Sequence, residues 1–220
     1  MKRIFTLACV AMLTLCASAQ VTFNAKLGGG MSWAPVKVSD GGFDNKGLFV
    51  GKIGFGAEIP VSQNFSVMPS LELAMKGGKY EAKDYDETIS DKLNVTYLQI
   101  PVMAAYRLSL NDRLNMTLKA GPYFAYGLSG NMKITEDDIN GSETGKMDIF
   151  SDKEMGGKAA DRFDVGGILG VDFEYHRFVF GADLECGFTD MYKMTETEED
   201  GNYSVKIKNL AAYVTVGYKF

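Results

Sequence analysis

The stretch "NLAAYVTVGYKF" at residues 209–220 ends the chain with a strict period of two. Chain ends are usually frayed and polar. Here every second position counted back from the terminus is apolar: Phe220, Tyr218, Val216, Val214, Ala212 and Leu210. This alternation indicates a β-strand with one apolar face. The alternation continues to the last residue, which predicts a terminal strand that is held in place by pairing with another strand.

The same alternation occurs in seven earlier segments, at residues 21–33, 48–59, 65–76, 94–109, 114–129, 162–175 and 178–188. Their connections are alternately short and long. The short ones are 60–64, 110–113 and 176–177, and the long ones are 35–47, 77–93, 130–161 and 189–206. In an up-and-down meander this pattern puts every short turn at one end. An even number of strands then puts both termini at that same end.

The second face of the strands separates two kinds of barrel. A soluble, lipocalin-like barrel would point its apolar face inward, whereas a membrane barrel points it at lipid. An eight-stranded barrel is only just wide enough to be filled by side chains, which suits glycines and charges better than many Phe and Tyr. The charged positions opposite the apolar face are Lys26, Lys52, Glu58, Glu72, Lys76, Arg107, Lys119, Asp164, Asp172, Glu174, Asp183, Glu185 and Lys219.

Strand length and aromatic positions favour the membrane barrel. The segments are longer than the roughly 9–11 residues that a tilted strand needs to cross a bilayer. Aromatic residues gather near both ends of the strands, as in the two belts of membrane barrels. The sequence therefore predicts an all-β fold, an eight-stranded antiparallel up-and-down transmembrane β-barrel, with a soluble lipocalin-like barrel as the alternative.

The first residues have the three parts of a secretory signal peptide. Met1–Arg3 is basic, an apolar core runs from Ile4 to Cys16, and the small residues Ala17 and Ala19 flank Ser18. Cleavage after Ala19 would leave residues 20–220 as the barrel domain. A lipoprotein signal ending at Cys16 is the weaker alternative, because Leu15 is too large for the position before a lipidated cysteine. The mature chain would keep one cysteine, Cys186, and could form no internal disulfide.

The charge balance excludes some partners. Loss of Lys2 and Arg3 changes the formal net charge from −5 to −7, and an acidic chain without a basic cluster argues against nucleic acid. The six basic and seven acidic residues predicted inside the barrel are nearly balanced. We expect them to pair and plug the lumen, and a selective pore is the alternative.

No residue pattern predicts catalysis, a cofactor or a metal. His176 is the single histidine and falls in the tight turn "YHRF", where no triad converges. Cys186 is interpreted as a small filler on the lipid face. The acidic stretch "TEDDINGSE" at 135–143 is followed by Met147, at the position where a calcium loop needs a bidentate Glu. The prediction is a protein that is not an enzyme; weak divalent binding by the acidic loops stays open.

Several stretches resemble the PorT-like outer-membrane β-barrel family of Gram-negative bacteria. They include "TYLQIPVMAAYRL" at 96–108, "LKAGPYFAYGLSG" at 118–130, "DVGGILGVDFEY" at 164–175 and the final "VGYKF". The resemblance implies a signal peptide, an eight-stranded barrel and a C-terminal aromatic residue. One class of members contributes to protein secretion, and most have no assigned activity. Its shared motif is structural, so it implies no catalytic residues.

These observations predict a non-enzymatic outer-membrane protein with an envelope structural, surface-binding or secretion-associated role. Its termini are expected in the periplasm and its long loops outside the cell. A narrow channel or transporter is the alternative, and a lipid-modifying enzyme is a weaker one. Expected partners are the outer-membrane bilayer, a protein that binds loop 130–161, and the assembly machinery. The resemblance implies that the assembly machinery recognises Tyr218 and Phe220.

Overall fold

The computed structural model describes residues 21–37, 45–84, 87–138, 141–151, 160–190, 192–198 and 201–220. The predicted signal peptide, with Ala17 and Ala19, lies outside these residues. In chain order the strands are β1 (Thr22–Trp33), β2 (Val36–Lys37), β3 (Asn45–Lys46), β4 (Leu48–Pro60), β5 (Phe65–Asp84), β6 (Glu87–Ser109), β7 (Leu114–Asp138), β8 (Gly141–Asp148), β9 (Phe163–Tyr175), β10 (Phe178–Gly187), β11 (Tyr192–Glu198), β12 (Gly201–Ile207) and β13 (Leu210–Lys219). No helix that could span a bilayer occurs in this described part of the chain.

Eight of these strands form a closed antiparallel ring. The order around the ring is β1, β4, β5, β6, β7, β9, β10 and β13, and every neighbouring pair is hydrogen-bonded. The first and last strands close it, with register from Asn24–Lys219 to Trp33–Leu210. The predicted eight-stranded barrel is confirmed, and the terminal stretch is its closing strand. A closed ring leaves no unpaired strand edge, which is the condition for crossing a bilayer with strands.

The barrel has a polar inside and an apolar outside. Large apolar side chains on the outer face are strongly exposed, among them Phe49 (77%), Val214 (72%) and Phe163 (70%). Charged residues of the opposite parity, such as Lys76 and Glu185, are almost completely buried. This arrangement inverts that of a soluble barrel, where burial of apolar side chains drives folding in water. It fits an exterior solvated by lipid.

The short connections occupy one end of the barrel, as predicted, but all four long connections contain strands. Strands β5 and β6 stay paired as far as Asp84–Glu87, through the predicted loop 77–93. Strand β7 runs to Asp138 and returns as β8, which occupies much of 130–161. In 35–47 and 189–206, β12 pairs with both β11 and β2. The charged composition of these segments favours loops, but β5, β6 and β7 continue beyond the barrel wall, and β2, β11 and β12 form a separate three-stranded sheet.

Glycines allow close approach between neighbouring strands at two points of the wall. A Cβ atom on Gly30 would lie 1.9 Å from the carbonyl oxygen of Ala212, and one on Gly121 would lie 2.1 Å from that of Val102. Beside Gly121 the ladder between β6 and β7 is interrupted after Pro101–Tyr123 and resumes at Ala104–Ala120. Proline lacks the N–H that a ladder needs, which explains the local break.

Candidate functional site

The lumen end nearest the short turns holds two cations between two carboxylates. Arg107 Nη2 lies 2.7 Å from Glu58 Oε1 and 3.2 Å from Glu174 Oε2. Lys219 Nζ lies 2.7 Å from Glu58 Oε2 and also contacts Glu174. The four side chains come from four different strands, so the cluster ties β4, β6, β9 and β13 together across the barrel. Ser66 adds a hydrogen bond to Glu58.

The middle of the lumen is a chain of alternating charges. Asp172 accepts from Lys26 and from Lys119, each at 2.7 Å. Lys119 also lies 2.8 Å from Asp183, which in turn lies 2.7 Å from Lys52. Each of these side chains is at least 85% buried, since the most exposed, Lys26, has 15% of its side-chain surface exposed. At this depth each charge depends on its partners, because unpaired charges are costly in a low-dielectric interior.

The network continues through Lys52 towards the other end. Lys52 Nζ lies 3.1 Å from Glu185 and 3.7 Å from Glu72. The Gln99 amide donates to both of these carboxylates, at 3.2 Å to Glu185 and 3.4 Å to Glu72. Lys76 Nζ lies 3.0 Å from Glu185 on the far side. Lys52, Glu185 and Lys76 thus form a continuous bridge along the barrel axis.

The last polar layer combines a buried carboxylate with tyrosines. Asp164 lies 3.9 Å from Lys76 and accepts hydrogen bonds from Tyr123 and Asn209, both at 2.9 Å. The Lys76 ammonium also lies 3.8 Å from the centre of the Tyr123 ring and 5.8 Å from that of Tyr97. Cation–π contacts of this kind gain strength when water is excluded. The fully buried lysine is therefore stabilised by two carboxylates and two aromatic faces.

The structure brings all thirteen sequence-predicted lumen charges together. Each has an opposite charge within 4.0 Å in the described residues. A cavity beside Lys26, Lys52 and Asp183 has a volume of about 30 Å³, which is room for about one water molecule. Sequence reasoning missed the neutral partners, although they share the strand parity of the charges: Gln99, Tyr97, Tyr123, Asn209 and Tyr213.

An apolar cap, formed by Ile149 and Phe150, packs against the buried core near the long-connection end of the barrel. Ile149 and Phe150 follow β8 and are 3% and 9% exposed. The Ile149 N–H donates to the Gly130 carbonyl at 3.2 Å, and the Arg162 guanidinium lies 4.3 Å from the centre of the Phe150 ring. A Cβ atom on Gly127 would come within 2.5 Å of Phe150, so this glycine makes room for the ring.

The cap corrects one expectation about the connection at 130–161. As a loop it should be removable without effect on the barrel, for example by deletion of residues 134–158. Such a deletion would also remove Ile149 and Phe150, which belong to the buried core. Joining Met132 to Met147, which face each other across β7 and β8, through an Asn-Gly turn would shorten the hairpin and keep the cap.

We expect Phe150→Ala to lower the free energy of unfolding by about 3 kcal/mol, because a buried phenyl ring is lost and leaves a cavity. Urea unfolding in detergent micelles, followed by the fluorescence of Trp33, the single tryptophan, measures the change. Phe150→Leu is the matched control and should cost less than half as much, since it keeps most of the volume. Equal stability of the alanine variant and the wild type would mean that the cap is not packed in solution.

Beyond the barrel wall, Tyr80 attaches the β5–β6 hairpin to the rest of the protein. Its hydroxyl donates to the carbonyl of Ala34. Burial, and to a smaller extent the Asp91 carboxylate, raise the pKa of Tyr80 above its ordinary value. The phenol therefore stays protonated, and can keep this hydrogen bond, at more alkaline pH than an ordinary tyrosine.

The remaining candidate residues lie apart from the network. His176 is exposed in the turn between β9 and β10 at φ +56° and packs against Tyr175. Cys186 is a half-buried free thiol on β10. The Phe220 N–H donates to the Phe23 carbonyl at 2.9 Å, and its ring centre is 5.5 Å from that of Tyr218. Within the described residues no three His, Cys, Asp or Glu side chains are grouped to hold a metal ion.

A closed antiparallel ring with a lipid-compatible exterior and a charged interior defines the class of membrane-spanning β-barrels. The model of one family, described as outer membrane protein beta-barrel domain, matches residues 18–193. The chain belongs to this family, and the outer membrane is its environment. The match is to the broad family, so the PorT-like assignment stays a prediction.

Solved outer-membrane barrels are similar at low identity. A major outer membrane protein from Thermus thermophilus is 13% identical, with 91% of this chain and 99% of that chain covered and a TM-score of 0.45. OprG from Pseudomonas aeruginosa is 12% identical, with 90% and 95% covered and a TM-score of 0.40. Ail from Yersinia pestis, in complex with the heparin analogue sucrose octasulfate, is 16% identical, with 90% and 99% covered and a TM-score of 0.38. No curated protein sequence matches this chain.

Proposed function

We propose that this protein is a non-enzymatic, non-conducting outer-membrane barrel that acts in the envelope as a structural or surface-binding protein. The observation that supports this proposal is the set of buried ion pairs that occupies the lumen in two clusters. One joins Lys219 and Arg107 to Glu58 and Glu174, and the other runs from Lys26 through Lys52 to Lys76 and Asp164. The apolar cap of Ile149 and Phe150 packs against the buried core beyond the second cluster.

Conduction would require this network to open. An ion passing along the axis would have to separate pairs such as Lys52 with Asp183, which are 2.7 Å apart and 5% exposed on each side. Leaving one buried charge unpaired costs several kcal/mol. The same barrier would recur at each layer, and the cavity beside Lys52 holds about one water molecule.

The binding role falls to the paired strands beyond the barrel wall. In the proposed orientation both termini are periplasmic and the extensions of β5, β6, β7 and β8 project from the cell. Their ladders continue to Asp84–Glu87 and Asp138–Gly141, which makes them a stiffer binding surface than a loop. The connection at 130–161 is the proposed contact for a protein partner. Tyr218 and Phe220, exposed at the short-turn end, are the proposed signal for the assembly machinery.

Reconstitution of the folded protein in planar lipid bilayers tests this proposal. We expect no discrete conductance steps at either polarity of the applied voltage, because buried ion pairs such as Lys52 with Asp183 occupy the lumen formed by the described residues. Heat-dependent gel mobility of the same sample shows that the barrel is folded, and a porin added to the same bilayer shows that conductance is detectable. Reproducible small steps from the folded wild type would contradict the proposal and favour the narrow channel or transporter.

A further inference from the structure

Five lysines stand directly opposite one another on five adjacent strands beyond the barrel wall. Strand pairing aligns Lys46 with Lys79, Lys79 with Lys92, Lys92 with Lys133, and Lys133 with Lys146. We call this set the lysine row. Adjacent strands are ~4.8 Å apart, so the row spans about 19 Å across β3, β5, β6, β7 and β8.

The lysine row lies on the outer face of this sheet. Lys92, Lys133 and Lys146 are exposed, whereas the next residues along β6 and β7, Leu93 and Met132, belong to or pack against the buried core. Side chains alternate between the two faces of a strand, so the row shares the outer face with the lipid-exposed residues further down the strands. On β6 this face passes from Lys92 to Ile100, which is 49% exposed.

The alignment of Lys92, Lys133 and Lys146 within the row is unfavourable without a counter-charge. Like charges directly opposite each other across a sheet destabilise it. Lys92, Lys133 and Lys146 form no ion pair with the described residues. Two positions away on the same face the neighbouring residues of β6, β7 and β8 are mostly neutral. They are Asn94, Asn131 and Asp148 on one side, and Ser90, Thr135 and Thr144 on the other. A multiply charged anion laid across the strands would contact several lysines at once and relieve their repulsion.

We propose that the lysine row binds the phosphorylated sugar headgroups of lipopolysaccharide in the surrounding outer leaflet. The row faces sideways, on the face that meets lipid, and not along the barrel axis towards solution. Lys92 is six residues, about 20 Å of strand, beyond Leu98, which pairs with the exposed aromatic residue Tyr126. Aromatic residues mark the membrane interface, so the row borders the layer of sugars and phosphates above it. The inference rests on the orientation in the proposed function.

Binding of purified lipopolysaccharide to the full folded chain in detergent micelles tests the inference. We expect Lys92→Gln combined with Lys133→Gln to weaken binding about 30-fold, given the contribution of each lysine near an anionic surface. The matched control replaces two exposed cations at the opposite end, Arg113→Gln with Arg177→Gln, and should leave binding unchanged. Lys92→Arg with Lys133→Arg should keep binding within about threefold, since the charges remain.

Binding measurements with modified ligands identify the chemical group that the lysine row recognises. The wild type should bind dephosphorylated lipopolysaccharide weakly. Its affinity for that ligand should be no higher than the affinity of the Lys92→Gln, Lys133→Gln variant for intact lipopolysaccharide. Equal binding of intact and dephosphorylated lipopolysaccharide, or equal loss in the Arg113 and Arg177 control, would overturn the inference. Tighter binding of soluble polyphosphate than of lipopolysaccharide would also overturn it, because the row would then serve a free polyanion.

The readouts separate this inference from the proposed function. Glutamine at positions 92 and 133 should leave the free energy of unfolding in urea unchanged or slightly higher, because like-charge repulsion is removed. A loss of binding then cannot be attributed to misfolding. Neither substitution touches the lumen, and conductance should remain absent in both variants. Absent binding with absent conductance would refute the inference alone, whereas conductance steps with intact binding would refute the proposed function alone.

Discussion

Replacing Lys52 with methionine should lower the free energy of unfolding by about 3–5 kcal/mol, the usual cost of removing one partner of a buried ion pair. The lysine lies between three carboxylates, Asp183 at 2.7 Å, Glu185 at 3.1 Å and Glu72 at 3.7 Å. Methionine keeps the length of the side chain, so the effect comes from the lost charge: Glu72 loses its ion-pair partner, and Asp183 and Glu185 keep only Lys119 and Lys76. Urea titration of the refolded barrel in micelles measures the change.

Two further variants separate charge from packing at this position. Lys92→Met removes the same group from an exposed site and should change stability by less than about 0.5 kcal/mol. Adding Glu72→Gln to the Lys52→Met background should recover part of the loss, because Glu72 forms its ion pair with Lys52, whereas Asp183 and Glu185 keep Lys119 and Lys76. If Lys52→Met were no more harmful than Lys92→Met, the lumen would be hydrated enough to screen its charges, and the argument for a sealed plug would fail.

Replacing Gly30 with alanine should lower the free energy of unfolding by about 3 kcal/mol, because the ring must open slightly to accept the methyl group. The added Cβ would lie 1.9 Å from the backbone oxygen of Ala212. That oxygen belongs to the strand that closes the ring, so β1 and β13 must move apart to accept the methyl group. We expect a smaller folded fraction, seen as the heat-modifiable band on gels.

Gly51 provides the matched control for Gly30. It lies on β4, which also pairs with β1, and its nearest neighbour to an added Cβ is the Gly28 oxygen at 3.4 Å. This is ordinary van der Waals contact, and removing a glycine restricts the unfolded chain. Gly51→Ala should therefore leave the folded fraction unchanged or raise it. Equal losses in the two variants would mean that glycine is needed for backbone freedom in general and not for the approach of Ala212.

Strand positions and side-chain faces were predictable because they depend on local alternation. The period of two in residues 209–220 identifies the closing strand, and its parity assigns Lys219 to the inside and Val214 to the outside. The charges predicted inside are buried, as with Lys76 and Asp164. A barrel with lipid outside gives the apolar face an apolar solvent and the charged face a protected interior. The class of fold therefore follows from the alternation alone.

The pairing of particular charges was not predictable from the sequence. Lys76 and Glu185 are far apart in the chain, and their contact depends on strand register and on the tilt of both strands across the lumen. The cap was missed for a related reason, because Ile149 and Phe150 stand in a charged segment without a clear period. The lysine row likewise appears only when four registers are known, since its members are spread from Lys46 to Lys146.

The charged inner face also has a consequence before the barrel exists. A chain bound for the outer membrane must first cross the inner one, where a run of about 20 apolar residues would be retained as a transmembrane helix. Lys52, Lys76 and Lys119 interrupt such runs within their strands, and a lysine at the centre of an inserted helix is strongly unfavourable. The residues that fill the finished lumen thus also keep the unfolded chain from stopping in the wrong membrane.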